Sequence, residues 1–88
     1  MKQWIYPETI LRLKYQCQLF LNGDIDVVFI QSEIMLAENQ IVAIEEKWLK
    51  DILFNAENQI ELYVYTTNQS DLNKAVTPII QDILWNIS

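Results

Sequence analysis

The sequence predicts an all-α protein, a small four-helix bundle formed by one domain over residues 1–88. Among 88 residues there are one glycine and two prolines, so the backbone has few places at which to reverse and its elements should be long. Apolar residues recur at spacings of three and four along most of the chain, which is the period of an amphipathic helix. A hydrophobic fraction of 51% with 20% charged residues is typical of a folded globular chain.

The first predicted helix begins at Pro7 and ends at Asn22-Gly23. Proline suits the first helical position because its missing N–H would be unpaired there, and glycine accepts the left-handed conformation that ends many helices. The segment from Leu11 to Leu21 also alternates apolar and mostly polar residues, and Asn-Gly favours a tight hairpin turn. An α+β fold with a hairpin at Asn22-Gly23 is therefore the alternative.

The second predicted helix is capped by Asp24 or Asp26, whose carboxylate can accept a hydrogen bond from a free backbone N–H. It ends or bends at Asn39-Gln40. Its core-facing residues are predicted to be Val27, Ile30, Ile34 and Ala37.

The third predicted helix follows that break, with Glu46 and Lys50 on its outer side as a favourable i to i+4 pair. Residues 60–67 are rich in strand formers but also continue the helical spacing, and we favour helix at least to Tyr63. The residues predicted to form its apolar side are Ile41, Ile44, Trp48, Leu49, Ile52, Leu53 and Ala56.

The last predicted helix is capped by Ser70 or Asp71 and contains Pro78, which either restarts the helix or kinks it because a backbone hydrogen bond is lost. Its apolar stripe comprises Leu72, Val76, Ile79, Ile80, Ile83, Leu84 and Ile87.

The charge distribution indicates a cationic partner. Twelve acidic and six basic residues give a net charge of −6, and the whole excess lies between Tyr15 and Glu46, where no Lys or Arg occurs. Nucleic acid and anionic membranes would be repelled, so neither is expected as a direct ligand. The acids of this stretch are Asp24, Asp26, Glu33, Glu38, Glu45 and Glu46.

The composition argues against an enzyme and against a metal site or a cofactor. The chain has no histidine, which is the commonest general base and metal ligand, and no glycine-rich phosphate loop. Cys17 is the only cysteine and lies on an apolar stripe, so we predict a core residue rather than a nucleophile. No uncharged apolar run is long enough to span a bilayer and no signal-peptide core is visible, so the expected location is the cytoplasm.

Ten aromatic residues are many for a core of this size. Phe20, Phe29, Trp48 and Trp85 are predicted to fill the bundle. Tyr63 and Tyr65 are better candidates for surface anchors, because aromatic rings beside carboxylates are typical of protein-binding patches.

Two segments carry a resemblance to a known family. Residues 19–26 (Leu-Phe-Leu-Asn-Gly-Asp-Ile-Asp), followed by an acidic helix and then by residues 53–57 (Leu-Phe-Asn-Ala-Glu), resemble small bacterial immunity proteins of the bacteriocin and contact-dependent inhibition systems, in particular the colicin D immunity-like helical group. The resemblance covers most of residues 10–86 in element order. It implies a helical protein that neutralises a basic toxin, a nuclease of the tRNA-cleaving kind, by covering its active site.

The resemblance and the charge pattern together predict a toxin-binding surface. Opposite potentials accelerate association, and aromatic anchors hold the complex once it has formed. An inhibitor that mimics nucleic acid against another basic protein and a non-inhibitory helical adaptor are the alternatives, and the oligomeric state is open. The predicted binding residues are Asp24, Asp26, Glu33, Glu38, Glu45, Glu46, Tyr63 and Tyr65.

Overall fold

Four helices form the fold in a computed structural model that describes residues 3–88. They are α1 (Pro7–Leu21), α2 (Val27–Gln40), α3 (Lys47–Thr66) and α4 (Gln69–Ile87), and a short 3-10 helix, Ile44–Glu46, precedes α3. Each helix packs against its neighbours in the chain, and α4 also packs against α1, so the four helices enclose one core. The predicted all-α four-helix bundle is confirmed.

The Asn22-Gly23 pair ends α1 and does not form a hairpin. Gly23 has φ +85°, and the amides of Gly23 and Asp24 donate to the carbonyl oxygens of Phe20 and Leu19 at 3.0 and 2.9 Å. These two bonds satisfy carbonyl groups that the helix end would leave unpaired. The α+β alternative is therefore wrong for the described residues, and residues 60–66, the second ambiguous segment, continue α3 as helix.

The core follows the predicted helical period. It is built from the apolar sides of α1, α2, α3 and α4, and Cys17 lies in it with no exposed surface. The predicted core position of Cys17 is confirmed, and burial raises the pKa of its thiol to about 12, so the thiol stays protonated at neutral pH. The other buried apolar residues are Ile10, Leu13, Phe20, Val27, Ile30, Ile34, Ala37, Ile41, Leu49, Leu53, Ala56, Ile60, Leu72, Val76, Ile80, Ile83 and Ile87.

The entry to α3 differs from the prediction. Residues 41–43 leave the helical conformation, and the 3-10 helix that follows changes the rotation of the chain before α3 begins. As a result Ile44 is exposed, whereas Glu46, predicted outside, is buried and accepts the amide hydrogen of Ile5 at 2.7 Å. The predicted Glu46–Lys50 pair is absent, because Lys50 contacts Glu38 instead.

Three predicted core aromatics lie at the surface. Phe29 and Trp48 are about half exposed and Trp85 is 81% exposed, while Phe20 is buried as predicted. Each of the three side chains is exposed because its position around the helix axis lies outside the side that faces the core. Trp48 also packs against Trp4, with ring centroids 5.9 Å apart.

Of the side-chain caps predicted at helix N-termini, only the one at α2 is confirmed. Asp26 caps α2 by accepting the Phe29 amide hydrogen at 2.8 Å, but α4 begins at Gln69 after Asn68, so Ser70 and Asp71 lie inside it. Helix α4 continues through Pro78 without a break. None of the helices formed by residues 3–88 combines the length and the apolar character that crossing a bilayer requires.

Candidate functional site

Helix α2 is apolar on both sides, which is unusual for a helix at the surface of a bundle. Val27, Ile30, Ile34 and Ala37 face the core, as predicted. On the opposite side the chain exposes four further apolar side chains, which we call the outer face of α2. The outer face consists of Val28, Phe29, Met35 and Leu36, which repeat at a spacing of seven.

No charged residue interrupts this outer face. The remaining exposed positions of α2 are Ser32, Asn39 and Gln40, and the only charged residues of the helix, Glu33 and Glu38, lie toward its neighbours α1 and α3. Exposed apolar surface of this kind, bordered by polar residues, is typical of a protein-binding site.

A groove of about 460 Å³ runs between α2 and α3, next to the outer face. We call it the acidic groove. Met35 belongs to both surfaces and Phe54 of α3, about half exposed, forms part of the groove wall. The residues that line the groove are Gln31, Met35, Glu38, Asn39, Phe54, Glu57, Asn58 and Glu61.

The carboxylates of the acidic groove differ in their partners. Lys50 Nζ donates to Oε2 of Glu38 and to the Glu38 carbonyl oxygen, both at 2.6 Å. Gln31 Nε2 donates to Oε2 of Glu61 at 2.8 Å. One ammonium group therefore serves a groove that contains three carboxyl groups.

Glu57 is the least satisfied group of the groove. The residue is only 8% exposed, and its Oε2 atom is buried with no hydrogen-bond donor. Burial, followed by the charge of Glu38 and a hydrogen bond to it, raises the pKa of Glu57 to about 7, while Lys50 acts in the opposite direction. Near neutral pH Glu57 thus holds a proton that its carboxyl group can donate to Glu38.

The boundary between α1 and α2 contains a carboxylate with a complete partner. Arg12 donates from Nε to Oε1 of Glu33 at 2.8 Å and from its terminal nitrogen to Oε2 at 3.3 Å. Two parallel bonds of this type fix the orientation of both groups. The side chain of Glu33 is 9% exposed, so this carboxylate is closed to a ligand by a residue of the same chain.

The predicted binding residues fall in separate parts of the molecule. Asp24 and Asp26 are exposed at the turn between α1 and α2, the side chain of Glu38 is mostly buried in the acidic groove, and Glu45 is exposed before α3. Glu33 and Glu46 are buried and bonded within the protein, so they contribute no exposed carboxylate to a surface.

The two predicted aromatic anchors also separate. Tyr65 is 80% exposed near the end of α3. Tyr63 is half-buried and lines a different cavity, between α3 and α4, together with Ala75 and Pro78. The eight predicted residues therefore do not form one continuous surface.

The sequence reasoning missed the residues that the groove does bring together, namely Glu57, Glu61, Met35 and Phe54. A signal for Glu57 was present: Leu53, Ala56, Glu57 and Ile60 share one side of α3, so a charged residue stands at a core position. Within residues 3–88 no group of three or more acidic or cysteine side chains is arranged to hold a metal ion.

Comparison of the chain with protein-family models, with curated proteins and with solved structures finds no match. The candidate site therefore rests on the geometry and the charges of the chain itself.

Proposed function

We propose that this protein is an immunity protein, a stoichiometric inhibitor that binds a basic bacterial toxin domain, of the nuclease kind, and covers its active site. The single observation that carries the proposal is the juxtaposition of the apolar outer face of α2 with the acidic groove. The outer face supplies apolar surface whose removal from water stabilises a complex. The acidic groove supplies the charge that selects a basic partner.

The outer face supports a protein partner because it has no structural use within the bundle. Val28, Phe29, Met35 and Leu36 are 68%, 45%, 47% and 39% exposed, although the inward side of α2 already provides the packing that holds the helix. Met35 adds an unbranched, polarizable side chain that adapts to the shape of a partner.

The charges around the outer face support a basic partner. Asp24 and Asp26 lie at its N-terminal end and the acidic groove lies along its side toward α3. The nearest cation of α3, Lys50, is held by Glu38. A basic toxin would therefore meet carboxylates at the rim and apolar side chains at the centre, the usual distribution in a stable protein interface.

A growth assay tests this function. The product of the gene immediately upstream is expressed with and without this chain, and the purified proteins are examined for a 1:1 complex by size-exclusion chromatography. We expect rescue of growth together with a 1:1 complex. A product of the upstream gene that is not toxic, or toxicity that this chain does not relieve, contradicts the proposal.

Matched variants test the surface. Val28→Lys combined with Met35→Lys places two positive charges on the outer face, and we expect it to abolish rescue and to weaken binding by more than about 100-fold, since two buried anchors are lost and a basic partner is repelled. Leu11→Lys is the control, because Leu11 is as exposed as Val28 but lies on α1. If the control variant lost as much binding as the double variant, the outer face of α2 would not be the binding surface.

A further inference from the structure

The acidic groove has more negative than positive charge within a small volume. Glu38, Glu57 and Glu61 line it, and the one ammonium group at the groove, that of Lys50, is taken up by Glu38. Its volume of about 460 Å³ lies within the usual range for ligand sites. Its other polar walls are side-chain amides, whose oxygen atoms can accept hydrogen bonds.

Glu57 is an independent indication of a ligand. The residue is more than nine-tenths buried, it belongs to the groove wall, and the buried Oε2 atom of the ionised group has no donor from the protein. A buried acceptor without a partner is costly, and such groups in folded proteins are normally satisfied. The missing donor has to come from a proton or from a ligand that enters the groove.

We propose that the acidic groove binds one arginine side chain of the partner, with the guanidinium group bonded to Glu57 and Glu61 and stacked against the ring of Phe54. The identity of the partner as a toxin rests on the proposed function, whereas the choice of a guanidinium group rests on the chemistry of the groove alone.

A guanidinium group fits these walls better than an ammonium group. It is planar, carries five N–H donors in a fixed arrangement, and can bond two carboxylates at once. It is also more weakly hydrated than an ammonium group and stacks on aromatic rings, which suits a groove that has Phe54 and Met35 as apolar walls. The amide oxygens of Asn39 and Asn58 can accept its remaining hydrogens.

Binding is linked to the release of a proton. In the empty groove the proton held near neutral pH by Glu57 satisfies its carboxyl group, and an arriving cation replaces that proton. The charged groups that face Glu57 are Glu38 from α2 with Lys50 and Glu61 from α3. Affinity for a guanidinium group should therefore rise with pH, by about tenfold between pH 6 and pH 8 for a group that titrates near 7.

Methyl NMR tests the proposal without the toxin. The chain has two methionines, and the methyl group of Met35 reports on the groove. The full chain carrying ¹³C-methyl methionine is titrated with N-acetyl-arginine-N-methylamide at pH 6 and pH 8. We expect a saturable shift of the Met35 signal with tighter binding at pH 8, and no saturable shift with the norleucine analogue.

Variants of equal charge identify the residue responsible. Glu57→Gln should weaken binding of the arginine probe about tenfold at pH 8 and remove the pH dependence. Glu61→Gln, at an exposed position of the same groove, provides a second variant whose folding is not in question, and it should weaken binding by a smaller factor. Asp51→Asn makes the same change in charge on α3 outside the groove and should leave binding unchanged.

Three results would overturn the inference: no saturable shift with the arginine probe, the same affinity in Glu57→Gln as in the unaltered chain, or an equal shift of the Met35 signal with Mg²⁺ at lower concentration. The two proposals fail separately. Rescue of growth without binding of the probe would leave the proposed function in place and remove the arginine site. Binding of the probe without rescue would do the reverse.

Discussion

The bundle buries the carboxyl group of Glu33 at the boundary of α1 with α2 and that of Glu57 at the boundary of α2 with α3, and the two groups have different partners. Glu33 receives two hydrogen bonds from Arg12, whereas Glu57 faces a second carboxyl group, that of Glu38. Their exposure is nearly the same, 9% and 8%. Burial of an acid is thus not enough to indicate a site, because the Glu33 carboxylate is neutralised by a cation of the same chain, whereas no cation bonds Glu57.

Removing the cation at the α1–α2 boundary should have the largest effect on stability. Arg12→Ala leaves the Glu33 carboxylate, of which 9% is exposed, without its two hydrogen bonds, and a buried charge that has lost its partner is destabilising. We expect a large fall in the urea midpoint at pH 7. Glu33→Gln should be milder, because Arg12 is well exposed and remains hydrated. If the two variants were equally stable, Glu33 would not depend on Arg12.

The α2–α3 boundary should make stability fall as pH rises. The pKa of Glu57 is raised in the folded protein from the ordinary value of 4.5 to about 7. As pH rises, the unfolded chain therefore loses the Glu57 proton at a lower pH than the folded protein does. Stability is therefore highest below about pH 4.5 with respect to this group, decreases up to about pH 7 and is constant above it, by on the order of 1 to 3 kcal/mol in total.

Urea denaturation at a series of pH values measures this effect, and Glu57→Gln is the control. The variant should lack the decrease in stability between pH 4.5 and pH 7. It should also be more stable than the unaltered chain at pH 8, because burying a neutral amide avoids the cost of removing a charged carboxylate from water. An unchanged profile in the variant would show that another group is responsible.

A smaller effect is expected from Lys50, the cation at the acidic groove. Its ammonium group lowers the pKa of Glu57 in opposition to burial and to Glu38. Lys50→Met removes that charge while keeping the apolar part of the side chain, and the midpoint of Glu57 ionisation should move to higher pH in a ¹³C-carboxyl NMR titration. A shift to lower pH would mean that Lys50 does not act on this carboxyl group.

The smallest effect on stability is expected at a solvent-exposed ion pair. Lys47 and Asp51 lie one turn apart on α3, 3.0 Å from each other, with both side chains more than half exposed. Asp51→Asn should change the free energy of unfolding by less than about 0.5 kcal/mol, as measured by urea denaturation at low salt. If the free energy of unfolding changed as much as in Glu57→Gln, burial would not explain the difference between Asp51 and Glu57.

The sequence predicts those parts of the fold that depend on local order. The spacing of Val27, Ile30 and Ile34 places the inward side of α2, and Asn22-Gly23 marks a helix end, because both depend on residues within one or two turns. Apolar character alone predicts that Trp85 lies in the core, yet its position on α4 directs the side chain outward.

The candidate site is harder to predict because its partners are distant in the chain. Glu33 lies 21 residues from Arg12 and Glu38 lies 12 residues from Lys50, so the sequence alone does not show which acids are neutralised. Counting the acids between Tyr15 and Glu46 overestimates the charge that a partner can reach. Glu57, outside that stretch, is detectable from its position between Leu53 and Ile60 on the apolar side of α3.

Met35 makes the outer face of α2 sensitive to oxidants. Its thioether is about half exposed, in contrast to the thiol of Cys17, which the core protects. Oxidation would convert this apolar side chain into a polar sulfoxide at the point where the outer face meets the acidic groove. Because Met35 is not part of the core, the bundle would keep its fold while its most adaptable contact surface became hydrophilic, and a methionine sulfoxide reductase could restore it.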